Sequence, residues 1–233
     1  VKTSASPVVV QHGMHLSVDG WRDVLGGWPQ ERPLRTLAIP DRATNEGPGL
    51  MKSAEFACES LTRPSVIVAH SYAGVIANQM SGICPEKMAQ IIYVAALVPQ
   101  PGEGPFDQFS QTEIKAMGRY ISYDKKWATP KNREAFLGHS AGAGYKFDPL
   151  WPQIYAESAM IGVERPKFDL SVWLSIPKAY VYTSLDQVVS PLIQHAYVKK
   201  GRIEFTRDLP AGHLPMITHP KELAQILSDV ATL

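Results

Sequence analysis

The amino-acid sequence predicts an α/β fold: a mostly parallel sheet of about six strands, with helices on both faces and a cap insertion. Short apolar segments alternate with segments of helical pattern, which is typical of a parallel sheet that is covered on both sides. One apolar segment, residues 66–69, is followed by His70, a serine and then helical sequence. The length of 233 residues and the hydrophobic content of 45% fit a single domain, residues 1–233, with one well-buried core.

Each predicted strand is short, apolar and bounded by a turn residue or by a helical segment. In chain order, the predicted strands cover residues 7–11, 34–39, 65–69, 89–95, 177–182 and 202–205. Helices are predicted over residues 51–61, from the serine to about residue 81, and over residues 220–233. This order of elements is the basis for the predicted parallel sheet.

Residues 101–175 interrupt the alternation and are rich in aromatic side chains. An aromatic insertion between two strands of a sheet is expected to form a cap over a functional site. Most of these side chains are expected to pack the cap against the core, and two or three of them to face a substrate. Trp127 and Trp151 are the candidates for that contact.

Ser71 lies at the junction between the third predicted strand and the following helix. A sharp strand-to-helix turn exposes a serine hydroxyl at the end of a sheet, and it needs small residues two positions before and after the serine. Ala69 and Ala73 meet that need, although glycine is commoner at both positions. The pattern predicts Ser71 as a nucleophile.

A second serine, Ser140, matches the G-x-S-x-G pattern more strictly, within residues 138–142. Its context differs, because residues 131–137 have a helical pattern instead of a strand pattern. Gly138 is expected to end that helix and to begin a flexible loop. Ser71 is therefore preferred over Ser140.

A serine hydroxyl is a weak nucleophile that needs a base within hydrogen-bond reach and a carboxylate to orient the base. His213 follows the last predicted strand, and Asp186 follows the fifth. Loops at the carboxyl ends of parallel strands meet at one edge of the sheet. The order Ser71, Asp186, His213 is the nucleophile–acid–base order of α/β-hydrolases. Asp208 is the rival acid, but it is close in sequence to His213 and belongs to another strand.

The negative charge that develops on a carbonyl oxygen during acyl transfer needs preorganised hydrogen-bond donors. Gly13 ends the first predicted strand in a turn that can direct the backbone N–H of Met14. The N–H of Tyr72, at the start of a helix, is the second predicted donor. Gly13 is also a predicted substrate-binding position.

The other histidines have simpler predicted roles. His70 is expected to be packed and hydrogen-bonded inside the protein, and His12 to shape the first loop through a hydrogen bond. His15, His139, His195 and His219 are expected to be solvated. No histidine pair has metal-ligand spacing with a supporting carboxylate, so neither a metal nor a cofactor is predicted.

Composition narrows the class of partner. The net charge is +1 and the longest basic run is Lys199-Lys200, which disfavours nucleic acid and anionic membranes as partners. No apolar run approaches the roughly 20 residues that span a bilayer. Residues 1–7 lack the apolar core of a signal peptide, although the sequence leaves open whether a leader has been removed.

Cys58 and Cys84 are expected to be free thiols, which favours a cytoplasmic protein. The sequence does not determine the oligomeric state.

Several of these residues together resemble the α/β-hydrolase superfamily, and in particular its small esterase branch of plant methylesterases, hydroxynitrile lyases and similar bacterial esterases. The resemblance rests on His12-Gly13, the segment of residues 69–74, residues 92–99 with Gly102-Glu103, Asp186, and Gly212-His213. It implies that Ser71, Asp186 and His213 form a catalytic triad that needs no cofactor.

Two positions distinguish esterases from lyases within this resemblance. The lyases carry a lysine directly after the triad histidine, where this chain has Leu214, and a threonine in the first loop, where it has Gly13. Both differences favour hydrolysis of a small or medium carboxylic ester or lactone through an acyl-enzyme on Ser71. Two alternatives stay open: a non-hydrolytic enzyme on the same scaffold (a lyase, a perhydrolase or a cofactor-free oxygenase), and a small-molecule receptor.

Overall fold

A computed structural model describes residues 5–29, 32–39, 49–142 and 144–231. Residues 1–4, part of the segment that lacks the apolar core of a signal peptide, and residues 232–233 of the predicted last helix lie outside these ranges. The strands are β1 (Val8–Gln11), β2 (Leu34–Leu37), β3 (Ser65–His70), β4 (Met88–Val94), β5 (Ile121–Tyr123), β6 (Trp127–Pro130), β7 (Glu157–Ser158), β8 (Lys178–Thr183) and β9 (Phe205–Leu209). The helices are α1 (Arg22–Gly26), α2 (Leu50–Glu59), α3 (Ala73–Met80), α4 (Gln111–Met117), α5 (Arg133–Ala141), α6 (Leu170–Ser175), α7 (Pro191–Lys200), α8 (Pro215–Thr218) and α9 (Pro220–Val230).

The main sheet of the described residues has six strands in the order β2-β1-β3-β4-β8-β9. Every neighbouring pair in it is parallel. Because β1 lies between β2 and β3, the strand order reverses there, and the carboxyl ends of the strands form one edge with a crevice at the reversal. The predicted parallel α/β fold is confirmed.

The two faces of the sheet are covered by different helices, as predicted. Along β3, Ile67 and Ala69 belong to one buried cluster, which includes side chains of α2, α3 and α7. Val66 and Val68 belong to the other, which includes side chains of α1, α8 and α9. Successive side chains of a strand point to opposite faces, so a strand buried on both faces is a continuous apolar run.

The last strand lies three residues further along the chain than predicted. The prediction placed it at residues 202–205, whereas β9 runs from Phe205 to Leu209 and pairs with β8. Arg202 has φ 50° and lies in the turn after α7. Since β9 is an edge strand with Arg207 and Asp208 exposed, it lacks the apolar run that marked the inner strands.

The segment between β4 and β8 contains the cap. Its strands form a separate antiparallel sheet in the order β5-β6-β7, which α4 and α5 accompany. Although α6 lies inside the predicted insertion of residues 101–175, it packs with the core. Its Trp173 is fully buried, and the indole N–H donates to Tyr93 Oη at 3.1 Å and to Asn78 Oδ1 at 3.2 Å.

The prediction of two free thiols is wrong. Cys58 and Cys84 form a disulfide, with their Cα atoms 6.0 Å apart. It joins the end of α2 to the turn after α3, two helices that pack side by side. Only this packing brings together cysteines that are 26 residues apart in sequence. The argument from free thiols to a cytoplasmic protein therefore loses its basis.

Candidate active site

Ser71 occupies a tight turn between β3 and α3. Its φ is 54°, a left-handed conformation that residues other than glycine adopt rarely. Its N–H donates to the Val94 carbonyl at 3.2 Å, and its carbonyl accepts from Leu97 N–H at 3.0 Å. A Cβ at Gly74 would lie 2.2 Å from the Leu97 carbonyl oxygen, so only glycine fits there. Such backbone strain is found where surrounding contacts hold a functional residue in place.

The three side chains of the predicted triad meet in one hydrogen-bonded chain. His213 Nε2 lies 2.9 Å from Ser71 Oγ, and His213 Nδ1 lies 2.7 Å from Asp186 Oδ2. All three residues are buried, with exposed fractions of 8% for Ser71, 5% for His213 and 4% for Asp186. The rival acid, Asp208, lies exposed in β9 opposite Tyr182.

The carboxyl group of Asp186 is held by its own loop. Its Oδ1 accepts the backbone N–H groups of Val188 at 2.7 Å and Val189 at 2.9 Å. Its Oδ2 accepts the Thr183 hydroxyl at 2.9 Å in addition to His213. Because all these neighbours donate, the carboxyl group accepts the Nδ1 proton of His213. The Nε2 lone pair then faces the Ser71 hydroxyl and can take its proton.

The backbone of His213 is supported from two sides. Its N–H donates to the Ser140 carbonyl at 2.6 Å, and its carbonyl accepts Nε2–H of His70 at 2.8 Å. A Cβ at Gly212 would lie 2.6 Å from the Ala141 carbonyl oxygen, so the loop packs directly on the end of α5. His70 is thus packed and hydrogen-bonded, as predicted. Burial, and then the neighbouring His213, lowers the pKa of His70 well below its usual value.

Ser140 contributes its backbone to this support and not its hydroxyl. Its Oγ donates to the Phe136 carbonyl at 2.8 Å within α5. The prediction that Gly138 ends the preceding helix is wrong, because α5 continues to Ala141 and Gly142, with φ 103°, follows its end. Gly138 lies inside α5, with open space beside its Cα. A helix tolerates an internal glycine at a modest cost in stability.

A narrow apolar cavity lies over Ser71 and His213. The space in it that the centres of water molecules can reach is about 40 Å³. On the same measure, a cavity that holds one water has about 10–15 Å³. Over the described part of the chain, no Lys, Arg, Asp or Glu lines it. Its apolar lining comes from the first loop, the segment after β4, the cap and the loops of Asp186 and His213, namely Met14, Leu16, Leu97, Phe106, Phe109, Met117, Ile121, Phe136, Val188, Val189 and Leu214.

The two predicted substrate-facing tryptophans do not line this cavity. Trp151 is buried under the Arg22 guanidinium, 3.8 Å from its ring, and donates Nε1–H to the Asp19 carbonyl at 3.0 Å. Trp127 lies in β6, opposite Ser158. The cap aromatics that do line the cavity are Phe106, Phe109, Tyr123 and Phe136. Phe106 and Phe109 follow β4 in the chain, and the carboxyl end of β4 lies at the edge of the sheet that holds the triad. Their place after this strand was the sequence signal that could have identified them as cavity residues.

The profile of the alpha/beta hydrolase family matches residues 9–226. This chain belongs to the α/β-hydrolase family. It is 23% identical over 219 residues to a probable hydrolase from Phoma sp., covering 84% of this chain and 82% of that protein. It is 25% identical over 180 residues to Methylesterase 7 of Arabidopsis thaliana, covering 71% of this chain and 68% of that protein. These relatives support a hydrolase and confirm the resemblance to the esterase branch.

A solved structure shares the fold of this α/β-hydrolase over nearly its whole length. The crystal structure of a pyrethroid hydrolase from Sphingobium faniae JZ-2 matches it with a TM-score of 0.83 at 17% identity, covering 98% of both chains. At that identity the likeness shows the fold alone.

Gly13 in this α/β-hydrolase is a close-approach residue behind Ser71. A Cβ there would lie 2.8 Å from both Ser71 Cβ and His70 Nδ1. Gly13 does not line the cavity, so the structure does not support its predicted contact with substrate. The next residue, Met14, does line it, and Tyr72 stands between Ser71 and the first residue of α3. Met14 therefore lines the same cavity as Ser71, and Tyr72 follows Ser71 directly in the chain.

Two histidines that were predicted to be solvated are enclosed by the cap. His15 is 1% exposed, with its ring edge-on to Phe136, and it lines the cavity. His139 is half-buried, and its ring stacks on Tyr120 with centroids 4.0 Å apart. The prediction for both is wrong, because the folded cap covers both positions. His195 is exposed, as predicted.

Two further observations concern metal binding and membrane spans. Within the ranges that the structure describes, no group of three or more His, Cys, Asp or Glu side chains is placed to hold a metal ion. None of the described helices has the length and apolar character needed to cross a bilayer.

Proposed function

We propose that this protein is a carboxylic ester hydrolase in which Ser71 is the nucleophile, His213 the general base and Asp186 the residue that orients the base. The observation that carries the proposal is the hydrogen-bonded chain Asp186–His213–Ser71 at the wall of an apolar cavity. A serine, an imidazole and a carboxyl group in this arrangement activate the hydroxyl for acyl transfer.

The first half of the reaction forms an acyl-enzyme. Ser71 Oγ attacks the ester carbonyl carbon while its proton moves to His213 Nε2, and the carbonyl oxygen takes up the negative charge. Asp186 stabilises the imidazolium through the 2.7 Å hydrogen bond at Nδ1. The backbone N–H groups of Met14 and Tyr72 are the proposed donors to the oxyanion. The intermediate then collapses, the C–O bond to the alcohol breaks, and Nε2 returns its proton to the leaving alcohol.

The second half releases the acid. A water molecule gives a proton to His213 Nε2 and adds to the acyl carbon, and the same two donors face the oxyanion. Collapse of this intermediate breaks the bond to Ser71 Oγ, which recovers its proton from Nε2. The cycle restores the enzyme without a cofactor.

The lining of the cavity favours an uncharged, apolar ester or lactone. A charged group placed against this lining would lose its hydration without gaining an opposite charge, at a cost of several kcal/mol. The small volume favours a small or medium acyl group. Relatives with the names methylesterase and pyrethroid hydrolase support a small-molecule ester as substrate.

The test compares hydrolysis of 4-nitrophenyl butyrate by the wild type and by Ser71→Ala. We expect the variant to lose about 10⁶-fold in kcat. The matched control is Ser140→Ala, which removes a buried hydroxyl that donates to the Phe136 carbonyl within α5 and leaves the Ser140 backbone in place. It is expected to keep most of the activity. Equal rates for wild type and Ser71→Ala would refute the proposal.

A second measurement separates acyl transfer from the alternatives on the same scaffold. A fluorophosphonate should add once per chain, and peptide mass analysis should place it on Ser71. A receptor or a non-covalent enzyme would bind apolar esters without this adduct. Binding without labelling would therefore contradict the covalent mechanism.

A further inference from the structure

The residue after the proposed oxyanion donor Met14 has an unusual backbone conformation. His15 has φ 62°, in the left-handed region, although it is not a glycine. Such a conformation is unfavourable for a residue with a Cβ and persists only where neighbouring contacts hold it. A peptide bond joins His15 to Met14, so the contacts that hold His15 also affect the position of Met14.

A short segment of the cap contacts every backbone polar group of His15. The His15 N–H donates to Glu157 Oε1 at 2.7 Å. The His15 carbonyl accepts the N–H of Tyr155 at 2.9 Å, and His15 Nδ1–H donates to the Tyr155 carbonyl at 2.8 Å. Three hydrogen bonds therefore tie the first loop of the core to residues 155–157 of the cap.

The position of Glu157 is itself determined by the cap sheet. Glu157 lies in β7, where it pairs with Ala128 of β6. It is 2% exposed, and Ala128 is fully buried. A carboxyl group on a paired strand has little freedom, so its oxygen is presented to His15 N–H from a rigid support.

We propose that Glu157 is a positioning residue which, through His15, orients the backbone N–H of Met14 toward the oxyanion. The inference rests on the proposed function. The hydrogen bond at His15 N–H determines the plane of the peptide unit between Met14 and His15. Met14 joins this peptide unit to the preceding one, and the preceding unit carries the Met14 N–H. A rotation of the peptide unit at His15 therefore tilts the Met14 N–H. Oxyanion donors are effective only when they are aligned before the charge develops.

The proposal predicts a defect in the transition state and not in substrate binding. Glu157→Ala leaves His15 N–H without this acceptor, and we expect kcat for 4-nitrophenyl butyrate to fall about 10- to 100-fold, below the loss of 10²–10³ typical when a donor is removed outright. KM should stay within about threefold. Glu157→Gln keeps an oxygen acceptor of the same reach and should retain kcat within about threefold.

An inhibitor that forms a tetrahedral adduct gives an independent measurement. The inhibition constant of an alkyl trifluoromethyl ketone should rise in Glu157→Ala by the same factor as kcat falls, because the adduct bears the oxyanion. In Glu157→Gln it should be unchanged. If Glu157→Ala does not fold, Glu157→Asp replaces it, since the shorter side chain withdraws the acceptor and should show the same split between kcat and KM.

The control for a general effect of the cap is Glu134→Ala, whose carboxyl group is 73% exposed on α5. It should behave as the wild type in all three measurements. Wild-type kcat in a folded Glu157→Ala or Glu157→Asp variant would overturn the proposal, and so would equal losses in the Gln and Ala variants. Failure of the proposed function would look different, because Ser71 of the wild type would then not react with the fluorophosphonate.

Discussion

His70 Nε2–H donates to the carbonyl oxygen of His213 at 2.8 Å, and the two imidazole rings lie 4.9 Å apart. The residue that precedes the proposed nucleophile thus supports the backbone of the proposed base. Because a carbonyl oxygen only accepts, His70 carries its proton on Nε2 in the neutral form. This hydrogen bond ties the end of β3 to the loop after β9.

The low pKa of His70 predicts a dependence of stability on pH. In the unfolded chain this histidine takes up a proton near pH 6.5, whereas burial keeps it neutral in the folded protein to a much lower pH. The unfolded state therefore binds more protons below pH 6.5, and the free energy of unfolding should fall as the pH drops from about 7 to 5. Urea unfolding at several pH values measures this.

The matched variant is His70→Gln, which keeps an N–H donor but does not titrate. Its free energy of unfolding should fall less steeply over the same range. Burial also lowers the pKa of His139, so part of the dependence should remain. An unchanged slope in His70→Gln would show that another group is responsible.

Asp186→Asn should nearly abolish turnover without unfolding the protein. The amide can donate to His213 Nδ1 and so favour the wrong tautomer, with a loss of about 10⁴ in kcat expected from triads of this type. Steady-state hydrolysis of 4-nitrophenyl butyrate measures it. Asp208→Asn, on the exposed edge strand, should keep wild-type kcat, and the opposite result would reassign the acid.

Two glycines should respond to alanine with opposite signs. A Cβ at Gly74 would lie 2.2 Å from the Leu97 carbonyl oxygen, so Gly74→Ala should destabilise the fold by about 1–3 kcal/mol and shift Ser71. A Cβ at Gly138 would meet nothing within 4 Å in the middle of α5, so Gly138→Ala should stabilise it by about 0.4–1 kcal/mol. Denaturant unfolding of both variants checks the prediction, which equal effects would contradict.

Reduction of the Cys58–Cys84 disulfide should lower the free energy of unfolding without changing the geometry of the candidate active site. Opening a cross-link between residues 26 apart should cost about 3.5 kcal/mol of unfolding free energy in the chain-entropy description. Thermal unfolding with and without dithiothreitol measures the effect. The double variant Cys58→Ser/Cys84→Ser should unfold at the lower temperature in both conditions, and a wild type that unfolds at the same temperature with and without the reductant would refute the assignment.

The inner strands could be predicted because their signal is local. Residues 66–69 are buried in a strand covered on both faces, and no polar position interrupts this apolar run. The edge strand β9 has exposed residues, and its predicted position was therefore three residues too early. The residues that meet at the triad could likewise be predicted, since each one lies in the segment after a strand whose carboxyl end is at the same edge.

Local pattern was thus sufficient for the parallel fold, for the turn at Ser71 and for the order of serine, aspartate and histidine. It was insufficient for the cavity phenylalanines, for the burial of His15 and His139, for the contact of Glu157 with His15 and for the disulfide. Each of these depends on segments far apart in the chain, up to 142 residues for Glu157 and His15. Packing of the cap and of α2 against α3 brings them together, and no periodicity within a strand or helix records that packing.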